Sequence, residues 1–220
     1  MTCAPRLNVD GRQNIPVGKI ICLARTYRKH AAEMDSPVAD DIVMFLKPAS
    51  AVIHDGQAIR IPQGSTEVHH EVEMAVVIGQ PGSHIPAAEA ASHIHGYAVA
   101  LDVTARDLQR EAKQQRHPWA TAKGYDTFCP ISTVVPAAAI PDPHALDLSL
   151  AVNGERRQSS TTAMLLYTVD DIVAAVSAVM TLCPGDLILT GTPEGVGPLH
   201  RGDSVEARLD DYCHLTVSVE

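Results

Sequence analysis

Short apolar runs separated by turn residues dominate the chain, and the strand-like pieces outnumber the helical ones. Lys19 to Leu23 reads as a short buried strand, and Arg25 to Met34, with Ala31, Ala32 and Glu33, as a helical or lid-like segment. Val43 to Leu46, Val52-Ile53 and Ile59-Arg60-Ile61 are β-like pieces set apart by Pro48, Asp55-Gly56 and Pro62. From His69 to Ile78, strand alternation puts Val72, Met74, Val76 and Ile78 on one face and Glu71 and Glu73 on the other. After a turn from Gly79 to Pro86 come a short Ala-rich helix, Ala87 to Ser92, and a buried strand, Gly96 to Leu101, that ends at Asp102.

Two helices carry start signals. Thr104 with Asp107 resembles a capping box and opens a helix of about three turns that runs to Arg116 before Pro118, with Arg106, Gln109 and Lys113 near one face. Thr168 with Asp171 opens a second, whose stripe of Ile172, Val173, Val176, Val179 and Met180 is expected to pack on a sheet before Pro184-Gly185. Alternation returns at Val205, Ala207 and Leu209 and at Leu215, Val217 and Val219, which predicts two closing strands. No repeat or linker divides the sequence, so residues 1–220 are expected to form a single domain, mostly β with some α.

Composition narrows the partners. With 17 Lys and Arg against 26 Asp and Glu, the chain repels phosphate backbones, so nucleic acid is not expected. Five scattered cysteines, Cys3, Cys22, Cys129, Cys183 and Cys213, show neither zinc-knuckle nor redox spacing and fit a reducing compartment. The first twenty residues carry polar and charged groups throughout, without the apolar stretch of a secretory signal, and the expected location is cytoplasmic. The most apolar segment, Ile172 to Cys183, falls short of the roughly 18 residues a membrane span needs.

Two acidic residues on one face of an apolar strand call for a counter-charge if that face is buried. A divalent cation would supply it, and all-oxygen ligation by Glu71, Glu73 and Asp102 favours Mg2+ or Mn2+ over zinc. The alternative is a polar face turned to solvent at a sheet edge. His69 and His70 point to opposite faces of a strand and do not readily share an ion. His30 and Glu33, three apart, meet on one helical face either as a base with its orienting carboxylate or as a surface ion pair. The Gly191-Thr192-Pro193-Glu194-Gly195-Val196-Gly197 stretch reads as a carboxylate-binding nest of backbone N–H groups or as a tight turn. Its glycine spacing is not that of a dinucleotide fold, and neither a serine nucleophile elbow nor an HExxH helix is present.

Seven ordered segments together resemble the fumarylacetoacetate hydrolase family, in particular its short members that act as acylpyruvases, oxaloacetate decarboxylases or oxaloacetate tautomerases. They are Cys22 to Met34, Phe45-Leu46-Lys47-Pro48, His69-His70-Glu71-Val72-Glu73, Leu101-Asp102-Val103-Thr104-Ala105-Arg106-Asp107, Ala122-Lys123-Gly124, Val152-Asn153-Gly154-Glu155 and Leu189-Thr190-Gly191-Thr192-Pro193. The resemblance implies a mixed β-roll or sandwich of the family's C-terminal-domain type, usually a homodimer, without the separate amino-terminal domain of longer relatives. It also implies that Glu71, Glu73 and Asp102 hold the metal and that His30 and Glu33 form the catalytic dyad. Lys123, a further catalytic group, and Gln109 would contact the substrate or the attacking water. Arg106, Lys47 and Thr192 would fix its carboxylates, with Arg25 as one more contact. The chain departs from the family where Ala24-Arg25-Thr26-Tyr27 replaces Gly-Arg-Asn-Tyr, where Ile42 replaces a common Pro, and at Ser159-Ser160-Thr161-Thr162, a variant of the polar loop before Met164.

The expected reaction is Mg2+- or Mn2+-dependent hydrolysis of a carbon–carbon bond in acylpyruvates such as acetylpyruvate or fumarylpyruvate, with the cleavage electrons collecting as a pyruvate enolate. The same small 2-oxo acid chemistry supports decarboxylation or keto–enol tautomerisation of oxaloacetate. A protein that binds a metal or ligand without turnover is the alternative of another class.

Overall fold

A large sheet apolar on both faces and a smaller one apolar on only one make the frame. The computed structural model describes residues 5–9, 12–33 and 42–220; Cys3 and Met34 lie outside them. The large sheet runs Val43–Lys47, Ile20–Ala24, Leu187–Leu189, Val72–Ile78, Ile94–Leu101, Cys129–Ile131, Val52–His54, with Val135–Pro136 also paired to Ile94–Leu101. Its inner strands have no polar side because both faces are covered. Ile21, Leu23, Val72, Met74, Val76, Ile78 and Ile188 face the main core, while Ile20, Cys22, Ala75, Val77, Leu187 and Leu189 pack with Leu7 and Val9 of an amino-terminal hairpin.

The five-stranded sheet runs Glu155–Thr161, Asp147–Val152, Ser204–Leu209, Cys213–Val219, Ala58–Ile59. Leu148, Leu150, Val205, Ala207, Leu215 and Val217 point into the main core and alternate with exposed residues, as a half-solvated antiparallel sheet requires. The two closing strands are those the alternation predicts. The mostly β architecture with a few helices likewise agrees with the expected fold class.

Several expected elements are redrawn. His69 to Ile78 is two strands: Val68–His70 pairs with Thr104–Ala105 and Gly197–Pro198 in a small three-stranded sheet, and Val72–Ile78 joins the large sheet. Glu71 sits where the chain changes sheets. Thr104 is not an N-cap: it lies in a strand, and its hydroxyl bonds Glu71 Oε1 at 3.1 Å and Asp102 O at 3.0 Å. Asp107 instead accepts from Ser65 Oγ and Thr66 N, each at 2.7 Å, and ties that loop to the Arg106–Gln115 helix. Ser159 to Thr161 belong to the Glu155–Thr161 strand and not to a loop. Among the described residues no helix is long and apolar enough to cross a membrane.

The Val169–Val179 helix has the expected capping box, with Thr168 accepting from Asp171 N at 3.1 Å and Asp171 accepting from Thr168 N at 3.3 Å. It packs against the Ala87–His93 3-10 helix, and Ser177 Oγ accepts from Ile85 N at 2.9 Å. Ile172, Val173 and Val176 are buried, but Val179 is 68% exposed and Met180 has left the helix, so the apolar stripe stops one turn early. Ile172→Ala should therefore cost about 2–5 kcal/mol in urea unfolding, whereas Val179→Ala should stay within about 0.5 kcal/mol. A Val179 cost comparable to that of Ile172 would place it in the core after all.

Candidate active site

The pairing of Val72–Ile78 with Ile94–Leu101 brings the acidic residues together. Val72 lies opposite Leu101 and Glu73 opposite Ala100, and just past the last pair Asp102 N donates to Glu71 O at 2.8 Å. One carboxylate oxygen from each of Glu71, Glu73 and Asp102 lies within 4.8 Å of the others, and all three residues are buried. The solvent-facing, sheet-edge alternative for the two glutamates does not hold, because their strand is flanked by Ile94–Leu101 and Leu187–Leu189.

Three buried cations answer this charge. Lys123 Nζ donates to Glu71 Oε2 at 2.9 Å and to Asp102 Oδ2 at 2.5 Å, and Arg106 Nη2 donates to Glu71 Oε1. Lys47 Nζ lies 2.6 Å from Asp102 Oδ1, with its hydrogen bonds directed to Val103 O at 2.9 Å and Lys123 O at 2.6 Å. Burial alone would raise the Glu71 carboxyl, but Lys123, Arg106 and His30 outweigh it and hold it well below the usual carboxylate range. Burial would lower Lys123, yet Asp102 and Glu71 keep its ammonium above its ordinary value.

Glu73 is different. Among the described residues it pairs with no cation and accepts only from Gly191 N, at 2.6 Å, and burial, then the Asp102 and Glu71 charges, push its carboxyl well above the ordinary range. Asp102 Oδ1 meets the Lys47 ammonium but accepts no hydrogen bond among the described residues. A buried carboxylate without a paired cation, within 4.8 Å of two others, marks where a hard divalent ion fits the donor set.

These groups open into a cavity of about 200 Å³. His30, Glu71, Glu73 and Lys123 line it together with Arg106, Gln109 and Lys113, which are spaced at successive turns of one helix. Arg25, Thr192, Leu23, Phe45 and Trp119 complete it. His30 is buried and its Nδ1 lies 3.2 Å from Glu33 Oε2, which orients Nε2 as the free ring nitrogen. Glu33 in turn accepts from Gly195 N at 3.1 and 3.3 Å, so the pair is anchored and is more than a surface contact. The glycine loop thus does bind carboxylates through its N–H groups, and they are the protein's own Glu73 and Glu33.

Ten of the eleven residues named from the sequence line this cavity or reach it through a partner; Glu33 acts through His30 and Asp102 through Lys123. Gln109 accepts from Arg106 Nη1 at 2.7 Å, which aims the guanidinium at Glu71. Lys47 stands apart from the rest: it lies outside the cavity lining, with its ammonium beside Asp102 Oδ1 and donating to Val103 O and Lys123 O. Thr26 donates to Thr190 O at 2.6 Å, and a Cβ on Gly191 would meet its Oγ1 at 1.8 Å. The altered segment is therefore fitted against the glycine loop. The aromatic wall of Phe45 and Trp119, ring centroids 5.5 Å apart, was not legible because nothing local distinguishes these rings from core residues. Gln158 was missed as well, hidden in a run of polar residues.

Glu73→Gln separates metal binding from folding. The amide still accepts from Gly191 N but removes a buried charge, so the metal-free variant should be at least as stable as the wild type. A carboxyl raised by folding holds its proton more tightly folded than unfolded, so the metal-free wild type loses stability as pH climbs above about 4.3, and the variant's advantage grows toward neutrality. Mn2+ at about a hundred times Kd should stabilise the wild type by about 2.7 kcal/mol and leave the variant unmoved in thermal unfolding. An equal Mn2+ shift in both would exclude Glu73 as a ligand.

The fumarylacetoacetate hydrolase C-terminal family matches residues 19–220. The mitochondrial oxaloacetate tautomerase FAHD1 of Arabidopsis thaliana is 46% identical over 202 residues, covering 92% of this chain and 91% of that protein. Its Mus musculus counterpart is 44% identical over 201 residues, 91% of each chain. The crystal structure of fumarylpyruvate hydrolase from Pseudomonas aeruginosa in complex with Mn2+ and pyruvate has a TM-score of 0.95 at 36% identity and covers 100% of this chain and 97% of that one. With the family match running through both sheets and every carboxylate of the site, the chain belongs to the fumarylacetoacetate hydrolase family.

Proposed function

We propose that this protein is a Mg2+- or Mn2+-dependent enzyme that interconverts the keto and enol forms of oxaloacetate. The observation that carries this reading is the His30–Glu33 pair, anchored by Gly195 N and facing a small cavity lined by Glu71 and Glu73, with Asp102 joined to it through Lys123. The identities of 44–46% to oxaloacetate tautomerases support it and move tautomerisation ahead of the hydrolysis the sequence favoured. Glu71, Glu73 and Asp102 would hold the divalent cation, which when bound supplies Lewis-acid polarisation of the 2-oxo group.

The protein's own residues supply the proton transfer. With Nδ1–H held by Glu33, His30 Nε2 is the free base; it takes a proton from C3, and a proton is returned to the 2-oxo oxygen. Glu33 stabilises the imidazolium formed in between. Charge sets the substrate class. The carboxylates of Glu71, Glu73 and Asp102 are balanced by Lys47, Lys123 and Arg106, so a bound divalent ion leaves a surplus of two positive charges that a dianionic acid neutralises. Lys113, its ammonium 5.3 Å from the Trp119 ring centroid, stands with Arg25 to receive the far carboxylate. Lys113 is held below its ordinary pKa by burial and then by the Arg106 charge, an environment that a substrate anion would relieve.

Hydrolysis of fumarylpyruvate-type acids is the second reading, favoured by the P. aeruginosa relative. There His30 would take the proton of an attacking water instead of a C3 proton.

Oxaloacetate, acetylpyruvate and fumarylpyruvate assayed in parallel with Mg2+ or Mn2+ distinguish the readings. Fast enol loss from oxaloacetate without pyruvate release establishes the tautomerase; pyruvate release from a diketo acid establishes the hydrolase; no metal-dependent change with any acid overturns both. His30→Asn should lower kcat at least about a hundredfold while Mn2+ binding persists. Lys113→Met should raise KM for oxaloacetate about tenfold and leave that for monoanionic acetylpyruvate nearly unchanged. Equal changes for the two acids would remove Lys113 from recognition of the second carboxylate.

A further inference from the structure

Gln158 lies on the Glu155–Thr161 strand, where its neighbours Arg157 and Ser159 are exposed and it alone of the three is buried, at 1% exposure. Its amide makes four hydrogen bonds. Oε1 accepts from Val72 N at 3.1 Å and lies 3.0 Å from His70 Nδ1; Nε2 donates to Thr192 Oγ1 at 2.8 Å and to Pro193 O at 3.0 Å. Two of these partners leave no choice of orientation. A backbone N–H only donates and a carbonyl only accepts, so the amide cannot be turned over without losing both.

The fixed amide sets the polarity of Thr192. Because Nε2 must donate, Thr192 Oγ1 accepts, and its own hydroxyl proton is not spent on Gln158. Among the described residues this is the only hydrogen bond that Thr192 Oγ1 makes. Thr192 is itself 4% exposed and lines the cavity beside Glu73, Arg106 and Arg25. Its hydroxyl is thus a donor with no acceptor among the described residues. The same amide grips Val72, the residue between Glu71 and Glu73, so one side chain locks the Thr192 loop to the strand that carries the carboxylates.

We propose that Gln158 is a positioning residue: it commits the Thr192 hydroxyl as a hydrogen-bond donor to a carboxylate or oxo oxygen of the 2-oxo acid. This role rests on the reading that the cavity binds such an acid, but not on which reaction follows. Gln158→Met removes the amide at nearly the same length. Gln158→Glu keeps an acceptor for Val72 N and replaces the donor with a second acceptor, which draws the Thr192 proton away from the cavity.

The test is calorimetric titration of the Mn2+-loaded protein with pyruvate, beside Mn2+ titration and thermal unfolding of each variant. Thr192→Val, Gln158→Met and Gln158→Glu should each weaken pyruvate about tenfold or more while Mn2+ affinity changes less than about threefold. The Gln158→Met/Thr192→Val double variant should be little worse than either single one. Thr192→Ser, which keeps the hydroxyl, should bind pyruvate nearly as the wild type does, but should lose that advantage over valine once Gln158 is methionine. In turnover the loss should fall on KM, with kcat within about threefold. Should the methionine variant melt early, the glutamate variant carries the comparison. Additive losses, or unchanged pyruvate binding in the Gln158 variants beside a weakened Thr192→Val, would overturn the role of Gln158 alone. A wild type that binds Mn2+ but no pyruvate would overturn the proposed function and this role with it.

Discussion

Three carboxylates confined in the interior of a sheet are the constraint from which the rest of this site follows. Taken singly, each would cost several kcal/mol to bury as an ion. The structure answers with Lys47, Lys123 and Arg106, drawn from an edge strand, a short helix and the start of a longer one, so three otherwise separate elements converge on Glu71 and Asp102. The compensation is uneven. Glu71 and Asp102 take all the cations, and Glu73 is left with one backbone N–H. That imbalance shapes the site as a receptor for a further positive charge.

The glycine loop after Leu189 extends the same logic from charge to geometry. Gly191 donates to Glu73, and Gly195 donates to Glu33, so one loop steadies both the acidic triad and the carboxylate that orients His30. Thr26 closes against Thr190 only because Gly191 carries no side chain, with φ at +97°. From the opposite sheet, Gln158 reaches the same loop at Thr192 and Pro193. Backbone groups and buried amides, rather than long flexible side chains, hold the reacting groups in register, which suits a cavity that must align a small acid closely.

Much of this was legible beforehand, for identifiable reasons. Strand alternation has a period of two, so Glu71 and Glu73 had to share a face wherever that strand lay, and the capping box at Thr168 and Asp171 is a purely local device. The same local rule failed at Thr104 and Asp107. Both residues have partners distant in sequence, Glu71 for the one and Ser65 with Thr66 for the other, and these outcompete the cap. Val179 failed for a similar reason: helical periodicity continues past the point where the neighbouring surface ends.

Order and spacing along the chain by themselves determined the mostly β fold, the shared face of the glutamates, the His30–Glu33 pairing and, through seven motifs in sequence, the family. Only the tertiary structure decided whether that acidic face was buried, because burial depends on which strands flank Val72–Ile78. It also decided that Lys47 pairs with Asp102, and that Gln158, in a strand with no apolar pattern, bonds Thr192. Periodicity records what lies within one element. Charge compensation and hydrogen-bond polarity arise between elements far apart in sequence, where only the folded chain brings the partners within reach.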